Sequence, residues 1–281
     1  MDHFPKILDH KDFRLRPLEE GDLPEITRQL GDCRIAPWLA AAAQPFGRAE
    51  AEALLAHSRH PGEHLRVMVR EGSLAGCLCL GAALWYWLEP SYWGRGLMHR
   101  ALKTTITARF SGPAPPLVAT CHVDNTTSRA LLARLGFAPS PTPRRMFFQS
   151  SQRAEPCQDY LMAPEQWHLL HPPRIVLGRS TLRPAVQRDA ATLARMLPCA
   201  ETGPWPGAEA LPAFIENHRF RGQARGLFVL EDSNRRSIGM ALLLRNGPVL
   251  RFLSEEDDTR HRGSVETALA RGLFPAVQSQ T

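Results

Sequence analysis

The sequence predicts an α/β (α+β) protein, in which a mixed central sheet flanked by helices is followed by a shorter second unit of the same kind. Three observations predict this architecture. The length of 281 residues suggests about two domains, each long enough to bury a core. Apolar, strand-like segments alternate with helix-like segments that begin at acidic residues or glycines. The order of these segments in the first half of the chain recurs in the second half.

The first unit begins with a strand at residues 13–18, FRLRPL, and a helix at 21–30 that an acidic residue caps. A Pro37-Trp38 corner and a second helix at 48–60 come next. Turn residues separate the strands that follow, as hairpins require. These strands are predicted at 65–72, 74–81 and 83–90.

Two glycines flank Arg95 in the segment YWGRGLM, which lies between the last of these strands and a predicted helix. Glycine adopts backbone angles that other residues resist, so the segment suits a tight turn. The alternative is an anion site, because the bare N–H groups and partial positive charge of a helix N-terminus attract phosphate. The unit then closes with a strand at 115–123, a helix at 125–135 and strands at 144–150 and 157–162.

The second unit repeats the first at an offset of 167 residues, the separation of Leu15 from Leu182. Five matches in the same order predict two copies of one structural unit. The matches pair Leu15-Arg16-Pro17 with Leu182-Arg183-Pro184, Asp22 with Asp189, Pro37-Trp38 with Pro204-Trp205, Arg95-Gly96 with Arg262-Gly263, and Ala101-Leu102 with Ala268-Leu269.

The second copy is predicted to be shorter than the first. A Gly-containing loop and a helix follow its last strand, and the closing strands and helix of the first copy have no counterpart. The double proline in residues 163–173 predicts a linker between domains at 1–162 and 174–281. The second copy is expected to have strands at 181–186, 226–233, 237–244 and 248–254, and helices at 188–197 and 211–220.

The composition argues against several classes of protein. No apolar run approaches the roughly 18 residues of a membrane span, and the first residues lack a signal-peptide profile. We therefore expect a cytoplasmic protein with no membrane partner. The net charge of +6 favours anionic ligands, but the arginines are scattered without interleaved aromatic residues, which argues against nucleic acid. Neither disulfides nor a metal site are expected from the spacing of Cys33, Cys77, Cys79, Cys121, Cys157 and Cys199.

Three motifs resemble those of the GNAT N-acetyltransferases, and in particular the branch that acetylates N-terminal alanines of ribosomal proteins. That branch has LRPxxxxD near its start, YWLxPxYWGxGxA at its cofactor loop and NxxSxxxLxxxGF before its last strands. This sequence has LRPLEEGD, YWLEPSYWGRGLM and NTTSRALLARLGF in the same order. The resemblance covers residues 13–162 and implies a GNAT fold, acetyl-CoA as the cofactor and a primary amine as the acceptor.

The resemblance assigns the segment YWGRGLM to the pyrophosphate of acetyl-CoA, with the glycines allowing close approach of the backbone. It also implies that the fourth and fifth strands splay apart, so that the pantetheine amides pair with the backbone near Leu88. Asn125 and Ser128 are expected to contact the same arm, and the alternative for Asn125 is a helix N-cap. The expected cofactor-binding residues are Leu88, Trp93, Gly94, Arg95, Gly96, Leu97, Met98, Asn125 and Ser128.

Acetyl transfer to an amine needs a base, donors for the thioester oxygen and a proton source for the departing thiolate. Many relatives have a glutamate where this sequence has Ala83 and a tyrosine where it has Leu132. His122, at the end of the fifth strand, is the predicted base, because imidazoles change charge near neutral pH. The alternative for His122 is a structural histidine. Ser128 is the predicted proton donor, and the reserve candidates are Glu89 and Tyr160.

Trp38 lies on the acceptor side in this family, but the matching Trp205 in the second copy favours a packing role for both. One cofactor site per chain is expected, because His261 replaces the first loop glycine and four carboxylates at 255–258 would repel a pyrophosphate. The second copy is expected to leave an open sheet edge, which docking or a homodimer could cover.

Three functions follow from these features. The leading one is acetyl transfer from acetyl-CoA to a protein N-terminus or a small amine. The second is CoA binding without turnover, which Ala83 and Leu132 motivate. The third is a structural module that uses the second copy for assembly.

Overall fold

The computed structural model describes residues 4–112, 114–197, 204–221 and 225–270. Within this part of the chain, two compact units are separated between Ala163 and Pro164. The predicted boundary after residue 162 lies beside this division. Of the six cysteines, Cys199 lies outside the described residues.

The first unit is built on a nine-stranded sheet. Its helices are α1 Leu23–Leu30, α2 Arg48–His57, α3 Leu97–Arg109 and α4 Thr126–Leu135. Its strands are β1 Leu8–His10, β2 Phe13–Arg16, β3 His64–Arg70, β4 Ser73–Leu80, β5 Leu84–Leu88, β6 Leu117–His122, β7 Ala138–Pro139, β8 Arg144–Phe148 and β9 Arg153–Met162.

This sheet is mixed, with the strand order β1-β2-β3-β4-β5-β6-β9-β7 and with β8 paired to β9. The β5–β6 pair is parallel, whereas the other pairs are antiparallel. Helices α1 and α2 cover one face of the sheet, where Ile26 and Leu55 pack with Val67 and Cys77. Buried apolar residues in these strands, not local propensity alone, thus hold the central sheet together.

The second unit has a five-stranded antiparallel sheet with the order β10-β11-β12-β13-β14. One face packs against α6 and α7, through residues such as Leu193 and Leu211, and the other packs against α8, through Val265 and Leu269. Its strands are β10 Ile175–Leu177, β11 Ser180–Pro184, β12 Gly226–Glu231, β13 Ser237–Leu244 and β14 Gly247–Phe252. Its helices are α5 Pro164–Leu170, α6 Ala190–Leu193, α7 Leu211–Asn217 and α8 Glu255–Ala270.

Two predicted segments have a different structure. Residues 163–173 were expected to form a linker, but most of them form α5, because Trp167 is fully buried and fixes the segment as part of a core. The expected loop around Gly263 is absent, because Gly263 lies inside α8. Four carboxylates in the first turn of α8 favour its N-terminus, and ion pairs four residues apart support it.

The Leu-Arg-Pro motif makes the same contacts in both units. In the first unit Arg16 donates to both carboxylate oxygens of Asp22, at 2.7 and 2.8 Å, and to the carbonyl of Pro17. In the second unit Arg183 donates to Asp189, at 2.7 and 2.9 Å, and to the carbonyl of Pro184. The motif therefore fixes the strand-to-helix connection through one bidentate ion pair in each unit.

Candidate functional site

A gap opens between β5 and β6 in the first unit. These parallel strands pair at Leu84 and Ala119, near the beginning of β5. Because Glu89 donates its backbone N–H to Ala75 of β4, alternation turns the backbone groups of Tyr86 and Leu88 away from β4 and into the gap. The gap therefore presents a strand edge, pointing away from β4, of the kind that an extended amide chain can pair with.

The loop that follows β5 leads to the N-terminus of α3. Gly94 and Gly96 have backbone φ angles of +74° and +66°, which residues other than glycine rarely adopt. Gly96 is the N-cap of α3, and the first intrahelical bond runs from Arg100 N–H to the Gly96 carbonyl. The earlier N–H groups of the helix therefore have no intrahelical acceptor and face an exposed loop. This geometry suits an anion such as a pyrophosphate, and the helix dipole adds to it.

Two arginines lie near this loop. Arg95 is exposed and its guanidinium lies over the Tyr92 ring, 5.9 Å from the centroid. Arg100 was not predicted, yet its Nη1 atom lies 3.3 Å from where a Cβ on Gly96 would be. Asp12 holds this side chain, with Oδ2 at 2.9 Å from Nε. The spacing of four residues from Gly96 on a helix was the signal that could have identified Arg100.

Leu88 and Trp93 are in direct contact. The indole Nε1 of Trp93 donates a 2.7 Å hydrogen bond to the Leu88 carbonyl. The resemblance implied that the backbone near Leu88 pairs with the pantetheine amides. In the structure the Leu88 carbonyl instead accepts the hydrogen bond of Trp93. The indole is exposed, so a competing amide can reach this position.

Asn125 is the N-cap of α4, where its Oδ1 accepts the backbone N–H of Ser128 at 3.0 Å. The N-cap alternative for Asn125 is therefore what the structure has. Ser128 Oγ also lies 2.7 Å from the hydroxyl of Tyr86, a β5 residue that sequence reasoning missed. Because these two residues are 42 positions apart, only the packing of α4 on the sheet brings them together.

His122 lies on the opposite face of β6 from Ser128. The thiol of its neighbour Cys121 points to the Asn125 carbonyl at the start of α4, at 3.8 Å, and successive strand residues point to opposite faces. The His122 ring makes edge contacts with Trp38, at 5.7 Å, and with Phe148, at 5.6 Å. His122 and Ser128 therefore do not meet, and they lie on the two sides of the sheet.

The hydrogen bonding of His122 argues against its predicted role as the base. Its Nδ1 atom accepts the backbone N–H of Asp124 at 3.1 Å. In a neutral imidazole the other nitrogen then carries the hydrogen, so Nε2 is a donor and has no lone pair to receive a proton. In this arrangement His122 is a hydrogen-bond donor that packs between the rings of Trp38 and Phe148.

The remaining candidates are engaged elsewhere. Glu89 accepts hydrogen bonds from Arg28 and Ser91, and the hydroxyl of Tyr160 accepts one from Arg129 at 3.1 Å. Leu132, at the position where many relatives have a tyrosine, is an apolar side chain buried in α4 and cannot donate a proton.

The two matched tryptophans differ in environment. Trp38 is 40% exposed, whereas Trp205 is 3% exposed and lies in the core of the second unit. Packing, the role favoured from the sequence, holds for Trp205 and not for Trp38. The exposed indole instead forms a wall beside His122.

The described residues include no group of three or more His, Cys, Asp or Glu side chains placed to hold a metal ion. In the same part of the chain, every helix is too short or too polar to cross a bilayer. The five described cysteines are free, and Cys33 alone among them is exposed.

Comparisons with known proteins agree with this geometry. Residues 12–138 match the family model described as an acetyltransferase (GNAT) domain. The RimL ribosomal L7/L12 alpha-N-protein acetyltransferase, solved in complex with coenzyme A, is 18% identical, with a TM-score of 0.50 over 56% of this chain and 97% of that chain. A solved structure described as "Probable acetyltransferase" is 20% identical, with a TM-score of 0.52 over 57% of this chain and 98% of that chain. These similarities show the fold, and a comparison with curated protein sequences finds no match.

Proposed function

We propose that the protein acetylates a primary amine with acetyl-CoA as the acetyl donor, because residues 12–138 match the family model of an acetyltransferase (GNAT) domain. The observation that carries the proposal is that β5, whose far end is separated from β6, leads directly along the chain into the glycine loop at the N-terminus of α3. An amide-bearing arm fits the gap, and a pyrophosphate fits the loop.

The chain's own residues supply binding and orientation. The N–H groups of Leu97 and Met98 would donate to phosphate oxygens, with Gly94 and Gly96 keeping the approach free of side chains. When bound, acetyl-CoA supplies an acetyl group activated as a thioester. Ser128 lies beyond the point where β5 and β6 separate and would donate to the departing sulfur.

The acceptor would lie on the other side of the sheet, between Trp38, His122 and Phe148. Since Nε2 of His122 is a donor, this residue would orient the acceptor and would not deprotonate it. The amine would then enter in its neutral form, and positioning beside the thioester would supply much of the rate. The acceptor is a protein N-terminus or a small amine; the structurally similar RimL acts on ribosomal L7/L12.

We also propose that the second unit is a truncated and degenerate copy of the first, which would make the chain a tandem repeat. The shared Arg-Asp pair at an offset of 167 residues supports this proposal. In this unit the segment that matches the cofactor loop lies within α8, so the unit would bind no CoA. Its edge strand β14 could pair in a homodimer.

We propose a cytoplasmic location, which the five free cysteines within the described residues support, since oxidising compartments favour disulfides. We propose no membrane partner and regard nucleic acid as a poor candidate, because the net charge of +6 comes from scattered arginines.

The test combines thiol release from acetyl-CoA, over a panel of amines and short peptides, with CoA binding by calorimetry. Gly96→Asp places a carboxylate in the loop and strains the backbone, so it should abolish binding. Gly263→Asp is the matched control, because Gly263 is exposed on α8 with open space around it. Equal CoA affinity in Gly96→Asp and the unmodified protein would reject the loop assignment.

The second candidate function is CoA binding without turnover. Ala83 and Leu132, which stand where relatives have polar catalytic groups, favour it. Tight CoA binding with no thiol release across the whole amine panel would select this function over the first.

A further inference from the structure

The hydroxyl of Tyr86 forms a pair with that of Ser128. The function proposed above gives a role to Ser128 and none to Tyr86. The two oxygens are 2.7 Å apart. The inference drawn from this pair rests on the proposed binding of acetyl-CoA in the β5–β6 gap.

Both side chains are fixed by secondary structure at the gap. Tyr86 lies two residues beyond Leu84, where β5 and β6 pair, so its hydroxyl stands where the strands have separated. Ser128 is in the first turn of α4, and its own N–H is held by Asn125. The pair is thus preorganised by a strand on one side and a capped helix on the other.

The direction of the hydrogen bond follows from the chemistry of the two groups. Either hydroxyl could donate by geometry, but a phenol is more acidic than an aliphatic alcohol, so the favoured arrangement has Tyr86 donating and Ser128 accepting. Burial raises the pKa of Tyr86, so its hydroxyl keeps its proton at neutral pH. Ser128 then directs its own hydrogen away from the Tyr86 oxygen. A thiolate in the gap would accept this hydrogen, because hydrogen bonds to charged acceptors are the stronger ones.

We propose that Tyr86 is a positioning residue, which orients the Ser128 hydroxyl so that its hydrogen points at the sulfur of CoA. During transfer the bond between the acetyl carbon and sulfur breaks, with the electron pair left on sulfur, while the bond from nitrogen to the acetyl carbon forms. The amine loses one proton to water, and the thiolate, held by Ser128 until release, gains one proton from water.

The experiment measures how strongly the protein favours the thiolate form of CoA. Affinities for CoA and for desulfo-CoA, which lacks the sulfur, are determined by calorimetry between about pH 7 and pH 10. In the unmodified protein, affinity for CoA should rise relative to desulfo-CoA as the thiol ionises. Tyr86→Phe and Ser128→Ala should each reduce that rise about tenfold, as expected for loss of a hydrogen bond to a charged group. Affinity for desulfo-CoA should stay the same.

Turnover gives a second measurement. Tyr86→Phe should lower kcat about tenfold with little change in the KM for acetyl-CoA, because the orienting bond matters as charge develops on sulfur. The double variant should be no slower than Ser128→Ala, because Tyr86 acts through Ser128. Thr105→Val is the control, since it removes a buried hydroxyl that donates to the Ala101 carbonyl within α3.

The outcomes separate the inference from the proposed function. Failure of the unmodified protein to bind either ligand would overturn the cofactor assignment, and with it the inference. Binding of both ligands, with no pH-dependent preference for CoA, would overturn the inference alone. Additive losses in the double variant, or an equal loss in Thr105→Val, would also reject Tyr86 as the residue that orients Ser128.

Discussion

The hydrogen bond at Nδ1 of His122 bears on how the acceptor amine would lose its proton in the proposed reaction. With Nδ1 bonded to the Asp124 N–H, the ring offers a donor to the space beside Trp38 and Phe148. A general base usually contributes about 10² to 10⁴ in rate, so its presence or absence is easily measured.

We expect His122→Gln, which keeps an N–H donor, to change kcat/KM by less than about tenfold, well below the contribution of a base. The pH dependence of kcat/KM should follow the acceptor, so two amines of different basicity should give shifted profiles in both proteins. Loss of the acidic limb in His122→Gln alone would restore His122 as the base.

At the scale of elements, the β1–β2 turn and the first turn of α3 together set the charge beside the glycine loop. Asp12 neutralises Arg100, whose guanidinium lies against Gly96. A bound phosphate would compete with Asp12 for this guanidinium. Charge-assisted bonds from arginine to phosphate are among the stronger ones in proteins, so Arg100 should contribute to affinity.

Arg100→Gln should weaken CoA binding about tenfold and leave pantetheine, which has no phosphate, unaffected. Asp12→Asn should tighten CoA binding, because it frees the guanidinium. Calorimetry with both ligands checks these effects, and Lys103→Gln, on an exposed part of α3, is the control. A matching loss with pantetheine would show that Arg100→Gln acts through the fold.

The elements differ in how well the sequence predicts them. Strands β3, β4 and β5 and helix α3 were predicted because apolar runs and the glycine loop are local signals. The pair of Tyr86 and Ser128 was not, because residues 42 apart meet only after the helix packs on the sheet. The prediction of a loop near Gly263 was wrong. It relied on one matched glycine, whereas the four carboxylates at 255–258 favour the start of a helix.

At the scale of the whole molecule, the two units use one ion-pair motif with different amounts of charge. Arg16 pairs with Asp22, whereas Arg183 pairs with both Asp189 and Glu231 and is more deeply buried. Burial disfavours ionisation of each aspartate, but the arginine and a backbone N–H outweigh it, so the pKa values of Asp22 and Asp189 are lowered. The resulting stabilisation is complete above about pH 4 and is lost as the pH falls through the folded-state values.

Arg183→Met should cost about 3–5 kcal/mol of unfolding free energy, because it leaves the buried Asp189 without its arginine and Glu231 with only the exposed Arg174. Arg16→Met affects one carboxylate, that of Asp22, so about half that loss is expected. Urea unfolding followed by circular dichroism measures both. Equal midpoints for the two variants would contradict the argument from burial.

The same asymmetry should appear in cofactor stoichiometry. Because the segment that matches the loop lies within α8, calorimetry should give one CoA per chain. A second, weaker site that Gly263→Asp removes would contradict this expectation.

The bond from the Trp93 indole to the Leu88 carbonyl has an optical consequence. An exposed indole that loses its hydrogen-bond partner changes its emission, and a pantetheine amide at Leu88 would displace this one. Of the six tryptophans in the chain, Trp93 should therefore report occupancy of the gap by fluorescence, and Trp93→Phe should silence the signal. The intrinsic fluorescence of Trp93 would then allow binding and dissociation of the cofactor to be followed by stopped flow without an attached label.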